Sequence, residues 1–269
     1  MWPMTKTTKA VILARGLGTR MREQDSAAPA SAAADVGAKG MIDIGRPFLD
    51  YVISALADAG ITDVCLVIGP EHNIFRDYYD TVPTSRVKIH YAVQVEPLGT
   101  ADAVAAAADF AGEDSFLVLN SDNYYPVSAL RALTELPGAG VVGFDREALV
   151  SQSNIPADRI AAFALIEVAA DGTMVDIVEK PTPTQIAELG EDAPTNMNAW
   201  VFTPAIFTAC RSIAKSVRGE YELPDAVRAA IAAGTPFTVV RAAVGVLDMS
   251  RRTDIAAVQA ALADTEVVL

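Results

Sequence analysis

Two kinds of residue that handle polyphosphates stand together near the start of this chain: glycines at 16 and 18, and the basic side chains Arg15, Arg20 and Arg22, with Lys39 further on. They follow an apolar run, Ala10-Val11-Ile12-Leu13-Ala14, which reads as a short buried strand. Glycines in such a loop let backbone N–H groups turn onto a phosphate, and arginine adds fixed positive charge. The spacing is not that of a dinucleotide fold, because no third glycine stands three residues after Gly18. Nor is it a P-loop, because no Gly-Lys-Ser/Thr follows. A second chemistry-bearing residue is Asp122, just past the apolar run Ser115 to Leu119. Ligands of open parallel sheets bind at such strand ends, and a hard carboxylate there suits Mg²⁺.

In order along the chain come Leu13-Ala14-x-Gly16-x-Gly18-Thr19-Arg20-Met21, Lys39, Pro47-Phe48-Leu49-Asp50-Tyr51 and Pro97-Leu98-Gly99-Thr100-Ala101. Leu119-Asn120-Ser121-Asp122-Asn123, Glu179-Lys180-Pro181 and Asn198-Ala199-Trp200-Val201-Phe202 follow. Together they resemble the signature of the sugar-nucleotide pyrophosphorylases, of the glucose-1-phosphate thymidylyltransferase/uridylyltransferase type. These nucleotidyltransferases join a nucleoside triphosphate to a sugar 1-phosphate. The resemblance runs from about Lys9 to Ser250. It implies a single-domain, Rossmann-like α/β fold over residues 1–269, with a mixed, mostly parallel central sheet flanked by helices. It implies a nucleotide site formed by Leu13, Ala14, Arg15, Gly16, Gly18, Thr19, Gln94, Pro97, Gly99 and Thr100, with Gln94 and Gly99 at the base. Arg20, Lys39, Asp122 and Lys180 become the catalytic set, Asn123, Glu179, Lys180 and Asn198 the sugar-phosphate set, and Asp122 with Asp248 the Mg²⁺ ligands. Two departures bear on substrate choice: Arg15 stands where the family more often has a small residue, and Gly40 follows Lys39 where proline is common.

Two other functions fit parts of the pattern. One is a non-catalytic nucleotide-sugar-binding regulatory module; retention of Arg20, Lys39, Asp122, Lys180 and Asp248 together argues against it. The other is a GT-A-type glycosyltransferase with a metal-binding Asp-x-Asp, but Tyr124 occupies the second acidic place. Neither His72 nor His90 suggests a Ser-His-Asp or Cys-His arrangement, and phosphoryl chemistry needs no protein nucleophile.

The elements that must position these residues alternate strand and helix. Pro47 to Ala59 has apolar residues at helical spacing and closes at Gly60; Asp63 to Gly69 reads as a second buried strand, completing a βαβ unit. Glu71 to Asp80 reads as a short helix, Val87 to Val93 as a strand and Thr100 to Phe110 as an Ala-rich helix. Helix Val127 to Leu136 and strand Gly140 to Phe144 precede an irregular span. Strands Ile160 to Val168 and Met174 to Val178 then form a hairpin about Asp171-Gly172, which lifts Glu179 and Lys180 to a strand end. Asn196 to Phe202 is a further strand and 203 to 216 a helix. The carboxylates of Gly219 to Asp225 are accounted for by a capping box before the next helix. A long strand, Pro236 to Leu247, ends at Asp248, and a helix closes the chain from Thr253 to Ala263. Gln24 to Ala38, rich in Ala and Ser without periodicity, reads as a mobile connection fit to be a lid over nucleotide.

The balance of 34 acidic against 21 basic residues, net −13, argues against nucleic acid or an anionic membrane as partner. An anionic substrate must then be met by a local cationic cluster. Cys65 and Cys210 lie in an apolar run and on a helix, which points to buried free thiols and a cytoplasmic, reducing setting. No apolar run has the length of a membrane span, and Met1 to Lys9 does not read as a signal peptide. A homo-oligomer is compatible with the sequence.

Overall fold

The run Ala10-Val11-Ile12 has no exposed surface because it is the middle of a sheet covered on both faces, the setting in which a parallel strand reads as continuously apolar. The computed structural model describes residues 6–16, 18–22, 32–190 and 192–269. β1 (Lys9–Leu13) is followed by helices α1 (Thr19–Arg22) and α2 (Ala32–Asp35), a 3-10 turn at Lys39–Met41, α3 (Phe48–Asp58), β2 (Asp63–Ile68), α4 (Asn73–Tyr79) and β3 (Lys88–Val93). Then come α5 (Thr100–Ala106), α6 (Ala108–Ala111), β4 (Phe116–Asn120), β5 (Asn123–Tyr124), α7 (Val127–Thr134), β6 (Gly140–Phe144), α8 (Arg146–Gln152) and α9 (Ala157–Ile160). The remainder is β7 (Leu165–Val168), β8 (Met174–Val178), α10 (Pro183–Leu189), β9 (Thr195–Phe202), α11 (Ala205–Ser212), α12 (Leu223–Ala232), β10 (Thr238–Ala242), β11 (Leu247–Asp248), a 3-10 turn at Arg252–Asp254 and α13 (Ile255–Leu262).

The main sheet runs β10-β6-β9-β4-β1-β2-β3, with the β7–β8 hairpin attached through β9. β1 pairs in parallel with β2 on one side and β4 on the other, and β3 and β10 also pair in parallel with their neighbours. β9 alone on this path runs antiparallel, against both β4 and β6. The sheet is therefore mixed and mostly parallel, as the family resemblance implies. Ile12, Leu66 and Leu117 face Phe48, Leu56, Leu130 and Leu133 in one core cluster. Val11, Val67, Phe116, Trp200 and Phe202 face Ala101, Val104, Ala226 and Phe207 in the other. Each buried large side chain contributes on the order of 1.5–3 kcal/mol, and the alanines of α5 and α12 let those helices approach the sheet. Cys65 and Cys210 are buried free thiols.

Four expectations are corrected. The span between Phe144 and Ile160 is not irregular: Asp145 caps α8 by accepting from Ala148 N at 2.7 Å, and α9 takes Ile160 into a helix, so the hairpin's first strand starts at Leu165. The helix expected from Thr100 to Phe110 breaks at Ala107 into α5 and α6. The long last strand stops at Ala242. Beyond it Val246 N donates to Ser153 Oγ (3.0 Å) and Asp248 N to Asn154 Oδ1 (2.8 Å), and these bonds draw the chain out of the main sheet to pair as β11 with β5. Finally, of the proposed lid, residues 24–31 lie outside the described residues, while Ala33, Ala34 and Ala38 are buried and α2 is helical, so this end of the segment is held rather than mobile. Among the described residues no helix is long and apolar enough to cross a membrane.

Candidate active site

Because the chain leaves β1 for β2 on one side and returns to β4 on the other, the connections that follow these strands diverge while the strands stay paired to their ends, and a crevice opens outside their C-terminal ends. Leu13 lies opposite Val67 and Asn120, so the Gly-containing loop and Asp122 emerge side by side. Gln94 follows β3 at the same edge, its N–H donating to Ile68 O at 3.0 Å. The resulting cleft, about 370 Å³, gathers Leu13, Ala14, Arg15, Gly16, Gly18, Thr19, Lys39, Gln94, Pro97, Gly99, Thr100 and Asp122. It also takes in Gly37, Ala103, Asn120, Ser121 and Glu220, which sequence reasoning did not place in the site. Gly18 has φ +58°, and a Cβ there would sit 2.6 Å from Gly37 Cα. Only glycine allows the two backbones to touch. Arg22 Nη2 donates to Val36 O at 2.8 Å, tying the same two segments.

At the mouth of the cleft Lys39 Nζ meets Asp122 Oδ2 at 2.7 Å, each side chain 19% exposed. Burial pulls the Lys39 pKa down, but the charge and hydrogen bond of Asp122 outweigh it and the net shift is upward, so Lys39 is a fixed cation and not a base. The positive charge of Arg20 presses on it from nearby; Arg20 itself is exposed. Asp248 arrives by topology: it pairs directly opposite Asn123 in the β5–β11 ribbon, and Met249 N donates to Asp122 O at 2.8 Å. Burial, and then the charge of Asp122, push its pKa up to about 6. Its Oδ1 accepts from Asn123 Nδ2 and Ser250 Oγ, both at 3.0 Å. Its Oδ2 accepts from Arg159, which also reaches Asp254 Oδ1 at 3.2 Å.

Several expected roles change. Asn123 is buried beneath Asp248 and orients that carboxylate, so it does not reach toward a sugar phosphate. Arg15 lines the cleft, but its guanidinium is turned back. Nε donates to Gln94 O at 3.2 Å, and Nη1 lies 2.9 Å from Glu71 Oε1 without a directed hydrogen bond, so it braces the Gln94 backbone. The Thr100 hydroxyl accepts from Leu223 N at 2.9 Å. It thus caps α12 in place of the expected capping box, because the Glu222 carboxylate is held by Arg218. Gln94 Nε2 donates to Gly99 O (3.0 Å) and Asp102 Oδ2 (2.8 Å), which fixes its side chain on the cleft wall. Gly99, at φ +113°, lies so close to the Tyr221 backbone that a Cβ would fall 2.5 Å from Tyr221 O.

Glu179, Lys180 and Asn198 stand outside the wall of this cleft. The register of β9 against β4, Val118 opposite Trp200, carries Asn198 toward the end of β4 that leads to Asp122. Lys180 (φ 46°) and Asn198 (φ 59°) are the two non-glycine residues with positive φ among the described residues, and such strain collects at functional sites. Asn196 holds Asn198 by accepting from its N–H at 2.9 Å. The surface of Glu179 is exposed, yet neighbouring protein desolvates its carboxyl and, with Glu222, raises its pKa against the pull of Arg218, Arg228 and Lys180. Arg218, a cation that the sequence alone does not single out, thus shares this corner with Lys180.

Among the described residues no three His, Cys, Asp or Glu side chains converge as a closed metal cage. Two carboxylates, Asp122 in the turn between β4 and β5 and Asp248 on β11, offer oxygen donors only and fit Mg²⁺, which takes one or two carboxylates and completes its shell with phosphate and water. Comparisons with known proteins agree with this geometry. A family model described as Nucleotidyl transferase matches residues 9–245. UTP–glucose-1-phosphate uridylyltransferase AglF of Haloferax volcanii is 29% identical over 241 residues, covering 87% of this chain and 87% of the relative. The low-salt glycan biosynthesis nucleotidyltransferase Agl11 of the same organism is 29% identical over 238 residues, 84% of this chain; the chain spans 58% of that relative's length. A UDP-glucose pyrophosphorylase solved with UDP-glucose superimposes with a TM-score of 0.74 at 18% identity, covering 97% of this chain and 100% of that one, a likeness of fold. The glycine loop after β1, the lysine–aspartate pair and the family match over nearly the whole sheet lead to one conclusion: the chain belongs to the nucleotidyl transferase family.

Proposed function

We propose that this nucleotidyltransferase joins a nucleoside triphosphate to a sugar 1-phosphate, or to the phosphate of a sugar-like cyclitol, giving a nucleoside diphosphate sugar and pyrophosphate. The observation that carries the proposal is the Lys39–Asp122 pair at 2.7 Å, set at the mouth of the nucleotide cleft with Asp248 on the neighbouring ribbon. The triphosphate lies along the loop 13–19 with its base toward Gln94 and Gly99. A phosphate oxygen of the sugar phosphate attacks the α-phosphorus in line, the bond to the bridging oxygen breaks, and pyrophosphate leaves. The nucleophile is already an anion, so no protein base is required. Lys39 and Arg20 contribute charge stabilisation, and the cleft contributes alignment. Asp122 and Asp248 would hold Mg²⁺, which when bound neutralises phosphate charge as it develops. Lys180, with Arg218 beside it, supports the sugar-phosphate side. The two buried free thiols support a cytoplasmic setting.

The test is a screen of UTP, dTTP, CTP, ATP and GTP against a panel of sugar 1-phosphates with Mg²⁺, read by pyrophosphate release. One pair should release pyrophosphate only when both substrates are present. Silence across the panel, with each triphosphate bound but unconverted, would favour a binding module instead.

A further inference from the structure

Arg159 has no place in the chemistry above, yet it makes the most committed contact of the site's second carboxylate. Its Nη2 is paired with Asp248 Oδ2 and its Nη1 lies 3.2 and 3.4 Å from the two oxygens of Asp254. The Arg159 side chain is 18% exposed against 7% for Asp248 and 9% for Asp254. The segment that carries it is fastened to the ribbon: Asn154 Nδ2 donates to Asp248 O and Asn154 Oδ1 accepts from Asp248 N, both at 2.8 Å, and Ser153 Oγ accepts from Val246 N. Asp254 is fixed in turn by Ser250 N (3.0 Å) and Arg251 N (2.8 Å) on Oδ2. With Asn123 and Ser250 on the other oxygen of Asp248, both oxygens of that carboxylate already carry donors of this chain, and Oδ2 carries the charged one. A divalent cation that takes Oδ2 must share it with a guanidinium, and two positive charges on one oxygen repel.

We infer that Arg159 is a built-in counter-cation of Asp248, which a divalent cation must displace to gain that ligand, so that Arg159 sets how tightly the protein takes its metal. The inference rests on reading Asp122 and Asp248 as the cation seat. Displacement leaves Arg159 on Asp254 alone, and the segment around α9 loosens as the cation enters. Outer-shell partners of this kind shift metal affinity by about tenfold to a hundredfold. Here the sign is negative, because the partner competes with the ion.

Mn²⁺ alone is titrated into the full chain and free Mn²⁺ is counted by electron paramagnetic resonance, for wild type, R159Q, R159K and D248N. R159Q should bind at least about tenfold more tightly, the lower end of that outer-shell range, and R159K should stay near wild type because it keeps the charge. Equal or weaker binding by R159Q overturns the inference, as does undetectable binding by both. If R159Q does not fold, wild-type hydrogen exchange decides: Mg²⁺ should speed exchange at residues 157–160, and unchanged or slower exchange there overturns the inference. D248N separates the two ideas. If D248N loses Mn²⁺ while R159Q matches wild type, only the role of Arg159 fails. If D248N binds Mn²⁺ like wild type, the cation seat fails and the inference with it.

Discussion

Replacing Lys39 by methionine keeps most of the stem and removes one charge, 2.7 Å from Asp122. Two unit charges at that distance interact by about 6 kcal/mol at an effective dielectric near 20 and about 1.5 kcal/mol in bulk water. Side chains 19% exposed fall between these limits, and part of the interaction is recovered when water solvates the freed carboxylate. Two consequences separate. In the free protein Asp122 and Asp248 then face each other with less compensation, so K39M should melt a few degrees lower at low salt, at about 2–4 °C per kcal/mol for a chain of this size. Divalent cation should recover most of that loss, because it replaces the missing charge. In turnover the lost cation no longer stabilises charge on the phosphates, and kcat/KM should fall about 100- to 1000-fold, the scale of one preorganised contact to a developing charge. Pyrophosphate release at several triphosphate concentrations measures the second effect, and thermal melts with and without Mg²⁺ the first. A kcat/KM within threefold of wild type, in a variant that folds, would refute the electrostatic role of Lys39.

Further outcomes follow from other parts of the site. Gly99→Ala should push the 98–101 turn away from Tyr221, lowering stability by about 1–3 kcal/mol and raising KM for the triphosphate; an unchanged melt and KM would contradict the close approach. Gln94→Ala should narrow the preference among bases by about tenfold or more while leaving turnover of the preferred one largely intact, measured by competition between triphosphates. Asp248 has a folded pKa of about 6, raised by burial and by Asp122. Its contribution to stability is therefore full below the ordinary aspartate pKa and lost as pH rises through about 6. Wild type should lose melting temperature between pH 5 and pH 7 more than D248N does. At limiting Mg²⁺, activity should rise over the same window as the carboxylate ionises, and a flat profile would contradict the assignment.

The parts legible in the sequence are those carried by one element and its end. β1 announces itself because a strand buried on both faces must be apolar throughout, and Gly16 and Gly18 follow at once. Asp122 is legible for the same reason, two residues past β4. Asp248 needed a family resemblance, because only the pairing of β5 with β11 carries it to Asp122. The bent course after Ala242 is set by Ser153 and Asn154, some 90 residues earlier in the chain. Arg159 was missed: it sits on a four-residue helix with no periodicity, and both its partners are distant in sequence. The start of α8 was within reach, since Asp145 followed by apolar Ala148 and Leu149 is an N-cap pattern. Asn123 misled because a motif gives a residue's neighbourhood but not its direction: its amide points to Asp248.

The central claim is that the α-phosphate of the triphosphate moves onto the sugar phosphate. Triphosphate labelled at the α-phosphate, incubated with protein, Mg²⁺ and the active sugar 1-phosphate, tests it most directly. All converted label should appear in a nucleoside diphosphate sugar, in step with unlabelled pyrophosphate, and none should move without the sugar phosphate. Label recovered instead in free nucleoside monophosphate, or left wholly in triphosphate while the sugar is passed to an acceptor, would contradict the account.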